Sequence, residues 1–362
     1  MQKRLVSDLK NGMITAEDVL SLDGQLVVPK GVALTDNLIA RLFSFDVFSI
    51  LIEDEQLTST IDDLLESPSP NASYVERMKA SPEFQEFKEE FKAGIEKMHF
   101  SLNALVEKNT DFDPNELLTD TMAMVNNRTT PSSVMDMILH MHEFDDDTYA
   151  HSLNVGMLCN IFARWMRFTE EERELATACG LFHDVGKLAM PAEIIKKPGK
   201  LTPAEYRLIK THPLESYKIL SNYQFPDEVK NAALMHHERC DGSGYPYGFT
   251  SEKITKFAKL VAIADVYDAM TSNRSYREAM CPFTVIKYFE DDGLQRYDPG
   301  FLMTFLENTV NTFLNQRVKL SNGLEGDIIF INPIAYSKPT VKIGDKFIDL
   351  KKVGAVDIVD VI

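Results

Sequence analysis

Apolar residues recur along this chain in two rhythms, a short alternating one near each end and a helical one through the middle. Over residues 1–66, brief apolar runs are separated by turn signals at Gly12, Asp23-Gly24 and Pro29-Lys30-Gly31. Gln25–Val28 and Val47–Ile52 read as strands, and Leu34–Leu42 as a short helix opened by Asp36. A small α+β module is expected there, closed by the linker-like run Glu66–Ser73. Over 67–119, Phe84, Phe87, Phe91, Ile95, Met98, Leu102 and Leu105 recur at spacings of 3 and 4, the seam of an amphipathic helix. Such a seam serves a coiled-coil homodimer or packs on the helix's own domain. The run has too few heptads to demand a dimer, so packing is the favoured expectation. Helical patterns continue over 120–317, broken by a Gly/Pro/Tyr-rich loop at Asp241–Gly248. From Val318 to Ile362 the runs become β-branched, with turns at Asn322-Gly323 and Gly326, which predicts a small antiparallel appendage.

Composition narrows the classes. With 362 residues, 44% hydrophobic and 26% charged, the chain can bury a large core, and disordered, collagenous and disulfide-scaffold classes are excluded. Four cysteines without a CxxC pair suit free thiols in a reducing compartment and exclude zinc ribbons. After Met1-Gln-Lys-Arg no apolar leader develops, and no uncharged run approaches the roughly 18–20 residues of a membrane helix, so a soluble, cytoplasmic protein is expected. A net charge of −17 gives no attraction to long nucleic acid or anionic lipid. An anionic substrate must therefore find positive charge inside its own site.

Five histidines of the central region stand out: His151, His183 followed by Asp184, His212, and the pair His236-His237. Asp265 joins them as a charge inside the apolar run Leu260–Met270, where it needs a partner. Imidazole with carboxylate is a ligand set for Fe, Mn or Zn in hydrolytic sites, and helices supplying one or two ligands each build such centres. Any single histidine here reads more naturally as an ordinary core or surface residue. Five, with a His-Asp and a His-His doublet, do not.

The residues around these ligands resemble one family. His183-Asp184-Val-Gly186-Lys187 and His236-His237-Glu238-Arg-Cys-Asp241-Gly242-Ser-Gly244-Tyr245-Pro246 resemble the HD-GYP phosphodiesterases, a branch of the HD-domain metal-dependent phosphohydrolases. His151-Ser152, His212-Pro213 and the run Ile263–Arg277 extend the match over about residues 145–290. The resemblance implies an all-helical HD-GYP catalytic domain, here over 120–317, and says little of the two ends; with the small α+β N-terminal module and short β-rich C-terminal appendage read from the pattern, a mainly α protein is expected. It implies two or three divalent metals, Fe or Mn first, and hydrolysis of cyclic di-GMP to linear pGpG, GMP or both by a hydroxide bridging two metals. By position, His151, His183, Asp184 and Asp265 correspond to ligands of the first metal. Asp184 would bridge to a second metal held by His212, His236 and His237. Asp147 stands where relatives with a third metal usually carry Glu, and it serves equally well as a helix cap.

Further roles follow from the same resemblance. Lys187, one turn beyond His183 if the helix continues, is expected on the phosphate or the leaving oxygen. Arg274 and Arg277, three apart on one helical face, are expected on the substrate, with surface salt bridges as the plainer reading. Asp268 is expected to bind guanine or to orient a ligand, and Tyr245 to pack on the nucleotide or a partner. The loop is also implicated in docking cyclic-dinucleotide synthase domains. Glu238 is a candidate acceptor behind the histidine pair, Ser216 a mild departure from the usual Gly, and Cys240 a filler. Alternatives to the leading reading are a phosphodiesterase preferring cyclic GMP-AMP, a non-catalytic cyclic-dinucleotide receptor in bacterial signalling, and di-iron redox chemistry.

Overall fold

A computed structural model of the chain describes residues 2–6, 9–20, 26–35, 38–39, 41–42, 47, 49–52, 74–108, 113–128, 130–141, 148–197, 199–273 and 277–362. Two compact units result, Met1–Ser67 and Pro68–Ile362.

In the first unit, strand β1 (Gln2–Leu5) pairs antiparallel with β4 (Ser49–Ile52), while β2 (Val19–Leu20) pairs with β3 (Leu26–Val28). Val6, Val28, Leu34, Leu42, Ile50 and Ile52 form its core. Strand β1 is an addition to the sequence reading, because its partner lies nearly fifty residues away and local pattern gives no hint of it. Asp36, Asp23-Gly24 and the linker run 66–73 fall outside the described residues.

The second unit has one continuous hydrophobic core. Ser81 caps the long helix Pro82–Glu107 by accepting from the Phe84 N–H, with Pro82 in its first turn. Six of the seven seam positions of this helix are buried within the same unit and Ile95 is partly so, which is why the seam packs at home. Two helices are apolar all round and form the centre of the unit: Thr148–Trp165, buried continuously from Ala150 to Ala163, and Lys256–Thr271. The helix Glu170–Phe182, opened by a Thr169/Glu172 capping box, crosses the first of these at a glycine contact. A Cβ on Gly180 would stand 2.7 Å from both the Gly156 Cα and the Val155 carbonyl oxygen, so only glycine lets these backbones meet. That contact brings His151 and His183 side by side, with ring centroids 5.3 Å apart.

Asp136, on the helix Pro131–Leu139, is a buried carboxylate satisfied from afar. It accepts from the Tyr74 hydroxyl at 2.6 Å and from Gln316 Nε2 at 3.4 Å. The C-terminal strands β5 (Arg317–Leu320), β6 (Glu325–Phe330), β7 (Thr340–Ile343), β8 (Lys346–Asp349) and β9 (Ile358–Val361) form one antiparallel sheet in the order β8-β7-β6-β5-β9. Val318, Leu320, Ile328, Val341 and Ile358 join the helical core, so the sheet is a wall of the second unit. Among the described residues no helix is long and apolar enough to cross a membrane.

Candidate metal centre

Three of the candidate histidines are aimed by a backbone carbonyl. His183 Nδ1 lies 2.7 Å from the Gly180 carbonyl, His212 Nδ1 2.7 Å from that of Ile209, and His236 Nδ1 2.8 Å from that of Ala233. In all three the acceptor is the carbonyl three residues earlier, a free acceptor at a helix end. In a neutral ring, donation from Nδ1 leaves the proton off Nε2, and the three Nε2 atoms point inward. His151 is held differently. Its Nδ1 lies 2.6 Å from Asp268 Oδ2, a buried carboxylate one turn beyond Asp265 on the helix Lys256–Thr271.

The inward atoms converge on two carboxylates. Asp184 Oδ2 is 3.3 Å from His183 Nε2 and 3.6 Å from His151 Nε2. Its other oxygen, Oδ1, is 3.1 Å from His212 Nε2 and 3.6 Å from His236 Nε2. Asp265 Oδ1 stands 3.1 Å from His151 Nε2, and its Oδ2 stands 3.8 Å from His237 Nδ1. Two metal-competent groups result, His151/His183/Asp265 and Asp184/His212/His236/His237. The two oxygens of Asp184 face one group each.

The donor set fits divalent metal. His183 Nε2 and Asp184 Oδ1 are buried without a hydrogen-bond partner. The His212 and His236 Nε2 atoms are 3.3 Å apart, and with Nδ1 donating in each ring both present lone pairs. Acceptors held face to face in a dry site are costly unless a cation lies between them. Burial first of all, with His183 and His212 nearby, pushes His236 down to about 4 against the pull of Asp184, so the ring is neutral at pH 7. Burial raises the Asp184 carboxyl, but Lys187, His183 and His212 outweigh it and hold the group well below the usual carboxylate range. Asp265 is likewise held low, its burial overcome chiefly by His151 and His237.

Several expected placements change. The helix bearing His183 ends at Phe182, and Lys187 lies in a 3-10 turn, Val185–Ala189, rather than one turn along that helix. From there its ammonium still reaches Asp184 Oδ2. Asp268, expected on the substrate or behind a ligand, stands buried behind His151. Glu238 does not back the histidine pair: its buried carboxylate accepts from the Tyr247 and Phe249 N–H groups at 2.8 and 2.9 Å and so anchors the loop 241–249. Arg277 is not on a helical face, because the helix stops at Thr271. Its guanidinium donates to the Ala269 carbonyl and touches Met280 Sδ at 3.5 Å. Arg274 and Asp147 lie outside the described residues.

Tyr245 stacks on His237 with centroids 4.6 Å apart and rings inclined by 29°. Gly244 makes this turn, since a Cβ there would stand 2.4 Å from the Arg239 nitrogen and the Glu238 Cα. Ser216 proves structural, accepting from the Gly186 N–H at 2.8 Å where the turn after Asp184 meets the helix His212–Ser221. The sequence reading missed Gly180, which supplies both the helix crossing and the acceptor for His183. A glycine three residues before a ligand histidine was the available signal.

A dry pocket of histidines and aspartates at the junction of helices is the hallmark of one class. The HD domain family matches residues 115–301, more than half of the sequence, and the chain belongs to it. HD-domain phosphohydrolases are metal-dependent, and this cluster could bind metal. Among curated proteins, the chain is 32% identical over 215 residues to cyclic di-GMP phosphodiesterase PA4108 of Pseudomonas aeruginosa, covering 59% of this chain and 51% of that protein. It is 38% identical over 157 residues to the cyclic di-GMP phosphodiesterase response regulator RpfG of Xanthomonas campestris, covering 43% and 42%. With the 3'3'-cGAMP-specific phosphodiesterase 1 of Vibrio cholerae it shares 41% identity over 133 residues, covering 37% and 31%. The chain thus matches about half the length, or less, of these relatives.

Proposed function

We propose that this chain hydrolyses a phosphodiester bond of cyclic di-GMP, releasing linear pGpG, GMP or both. The observation that carries the reading is Asp184, whose two oxygens face opposite groups of inward-pointing histidines in a buried site. The substrate class is supported by relatives named cyclic di-GMP phosphodiesterases.

In this reading His151, His183 and Asp265 hold one divalent ion, His212, His236 and His237 hold another, and Asp184 is shared. Fe or Mn suits the mixture of imidazole and carboxylate, and Asp147 is the candidate for a third ion. Such ions, when bound, lower the pKa of water and stabilise charge on a phosphoryl oxygen. The chain's own residues do the rest. The imidazoles keep their Nε2 or Nδ1 donor atoms inward, Asp268 fixes the ring of His151, and burial keeps bulk water out. Lys187 steadies Asp184 and offers its ammonium to a phosphate oxygen. Tyr245 gives the nucleotide a ring to pack on. Four free cysteines suit the cytoplasm, and the loop 241–249, with Tyr247 exposed, is the surface on which a synthase domain would dock.

The Vibrio cholerae relative favours a second reading, preference for the mixed cyclic GMP-AMP dinucleotide. Chromatography of products from both dinucleotides, with chain loaded anaerobically with Fe(II) or Mn(II), tests the two together. Linear dinucleotide or GMP is expected, and relative rates set the preference. Two metals bound per chain with no product from either substrate would overturn the hydrolase and favour a receptor.

A further inference from the structure

A cyclic dinucleotide carries two phosphates, and the metal centre accounts for one. The chain as a whole has a formal charge of −17, so the second phosphate needs a local cation whose N–H groups are not already committed to protein acceptors. Among the described residues, Lys187, Arg239, Arg277 and Lys210 can be compared. Lys187 is paired with Asp184. The Arg239 guanidinium donates to the His236 and Glu238 carbonyls at 3.2 and 3.0 Å, and Arg277 donates to the Ala269 carbonyl. Lys210 is the exception. Among the described residues its ammonium has neither a carboxylate nor a carbonyl partner, and it lies against two aromatic rings, 4.8 Å from the centroid of Tyr206 and 5.0 Å from that of Tyr245.

The position of Lys210 is well determined. It caps the helix Pro203–Ile209, placing Tyr206 one turn behind it, and it stands two residues before His212. Tyr245 stacks in turn on His237. A ladder therefore runs from a candidate metal ligand through Tyr245 and Lys210 to Tyr206, whose ring is half exposed. Cation–π contact steadies an ammonium without cancelling its charge, unlike a carboxylate partner. The contact leaves the charge available to an anion arriving at the rim.

We propose that Lys210, held against Tyr206 and Tyr245, binds the phosphate of the dinucleotide that does not react, and so sets how tightly the substrate is seated. The inference rests on the phosphodiesterase reading. Its test compares K210M and K210R with the unaltered chain in steady-state hydrolysis of cyclic di-GMP, with metal content and Tm measured on each. K210M is expected to raise KM about tenfold, the scale of one charge-assisted hydrogen bond. Its kcat, metal content and Tm should hold, and K210R should restore KM. The KM of the unaltered chain should climb with added salt more steeply than that of K210M. An unchanged KM in K210M, or equal damage in both variants together with lost metal or lowered Tm, overturns the inference while leaving the hydrolase intact. No turnover by the unaltered chain overturns the phosphodiesterase reading itself, a separate result.

Discussion

The two halves of the metal centre are held in place by different means. His183, His212 and His236 are aimed by backbone carbonyls three residues earlier. Only in the His151/His183/Asp265 group does a carboxylate from a distant helix, Asp268, aim one of the rings, that of His151. A carbonyl acceptor is built into the fold and survives any side-chain substitution. A carboxylate acceptor raises the basicity of its histidine and can be removed by changing one residue. Within its group His151 is therefore the tunable ligand, and the His212/His236 half rises or falls with the fold.

The comparison can be broken at its shared member. Asp184→Ala removes a carboxylate whose two oxygens face the two halves, so turnover should fall by about a thousandfold or more, the loss of several kcal/mol of metal-based stabilisation. Metal content by mass spectrometry should fall on both sides, and normal activity in this variant would sink the proposed function. Gly180→Val attacks the fold-built side. The added side chain meets the Gly156 backbone, and a destabilisation of about 1–3 kcal/mol, or a Tm drop on the order of 3–10 °C, is expected by calorimetry. An unaltered Tm would show that the helices do not meet there.

Asp268→Asn sharpens the comparison. Metal affinity should fall by about 10–100-fold at one site only, giving a chain that loses one ion to a chelator well before the other. Equal loss of both ions would erase the distinction between the halves. The smallest effect belongs to the loop. Glu238→Ala leaves the Tyr247 and Phe249 N–H groups without their acceptor, at a local cost of about 1–3 kcal/mol. It should raise KM a few-fold while metal content stays constant, and lost metal would mean that Glu238 supports the histidines after all.

The candidate site was legible in the sequence wherever chemistry is rare. His183-Asp184 and His236-His237 stand out because buried, closely spaced imidazoles and carboxylates have few other uses. The fold was legible where its period is local, as along Phe84–Leu105. Long-range acceptors were not. Nothing near Glu238 signals that its carboxylate serves the N–H groups of Tyr247 and Phe249. Nothing near Arg277 reveals that the preceding helix ends at Thr271 and leaves the Ala269 carbonyl within reach. Strand β1 escaped for the same reason, since only its partner at Ser49–Ile52 makes it a strand. Contacts closed by tertiary structure leave no periodic trace.

The shared core of helices and C-terminal sheet also imposes an order of events during synthesis. Asp136 and Gln316 meet across 180 residues, and Ile358 is buried in the same core as Phe84. The candidate ligands, from His151 to Asp265, therefore leave the ribosome before the wall that completes their unit exists. During that interval the nascent chain carries exposed histidines and an unclosed apolar face. The unit closes only after β9 has emerged, so the candidate metal site is completed well after its own ligands have been synthesised.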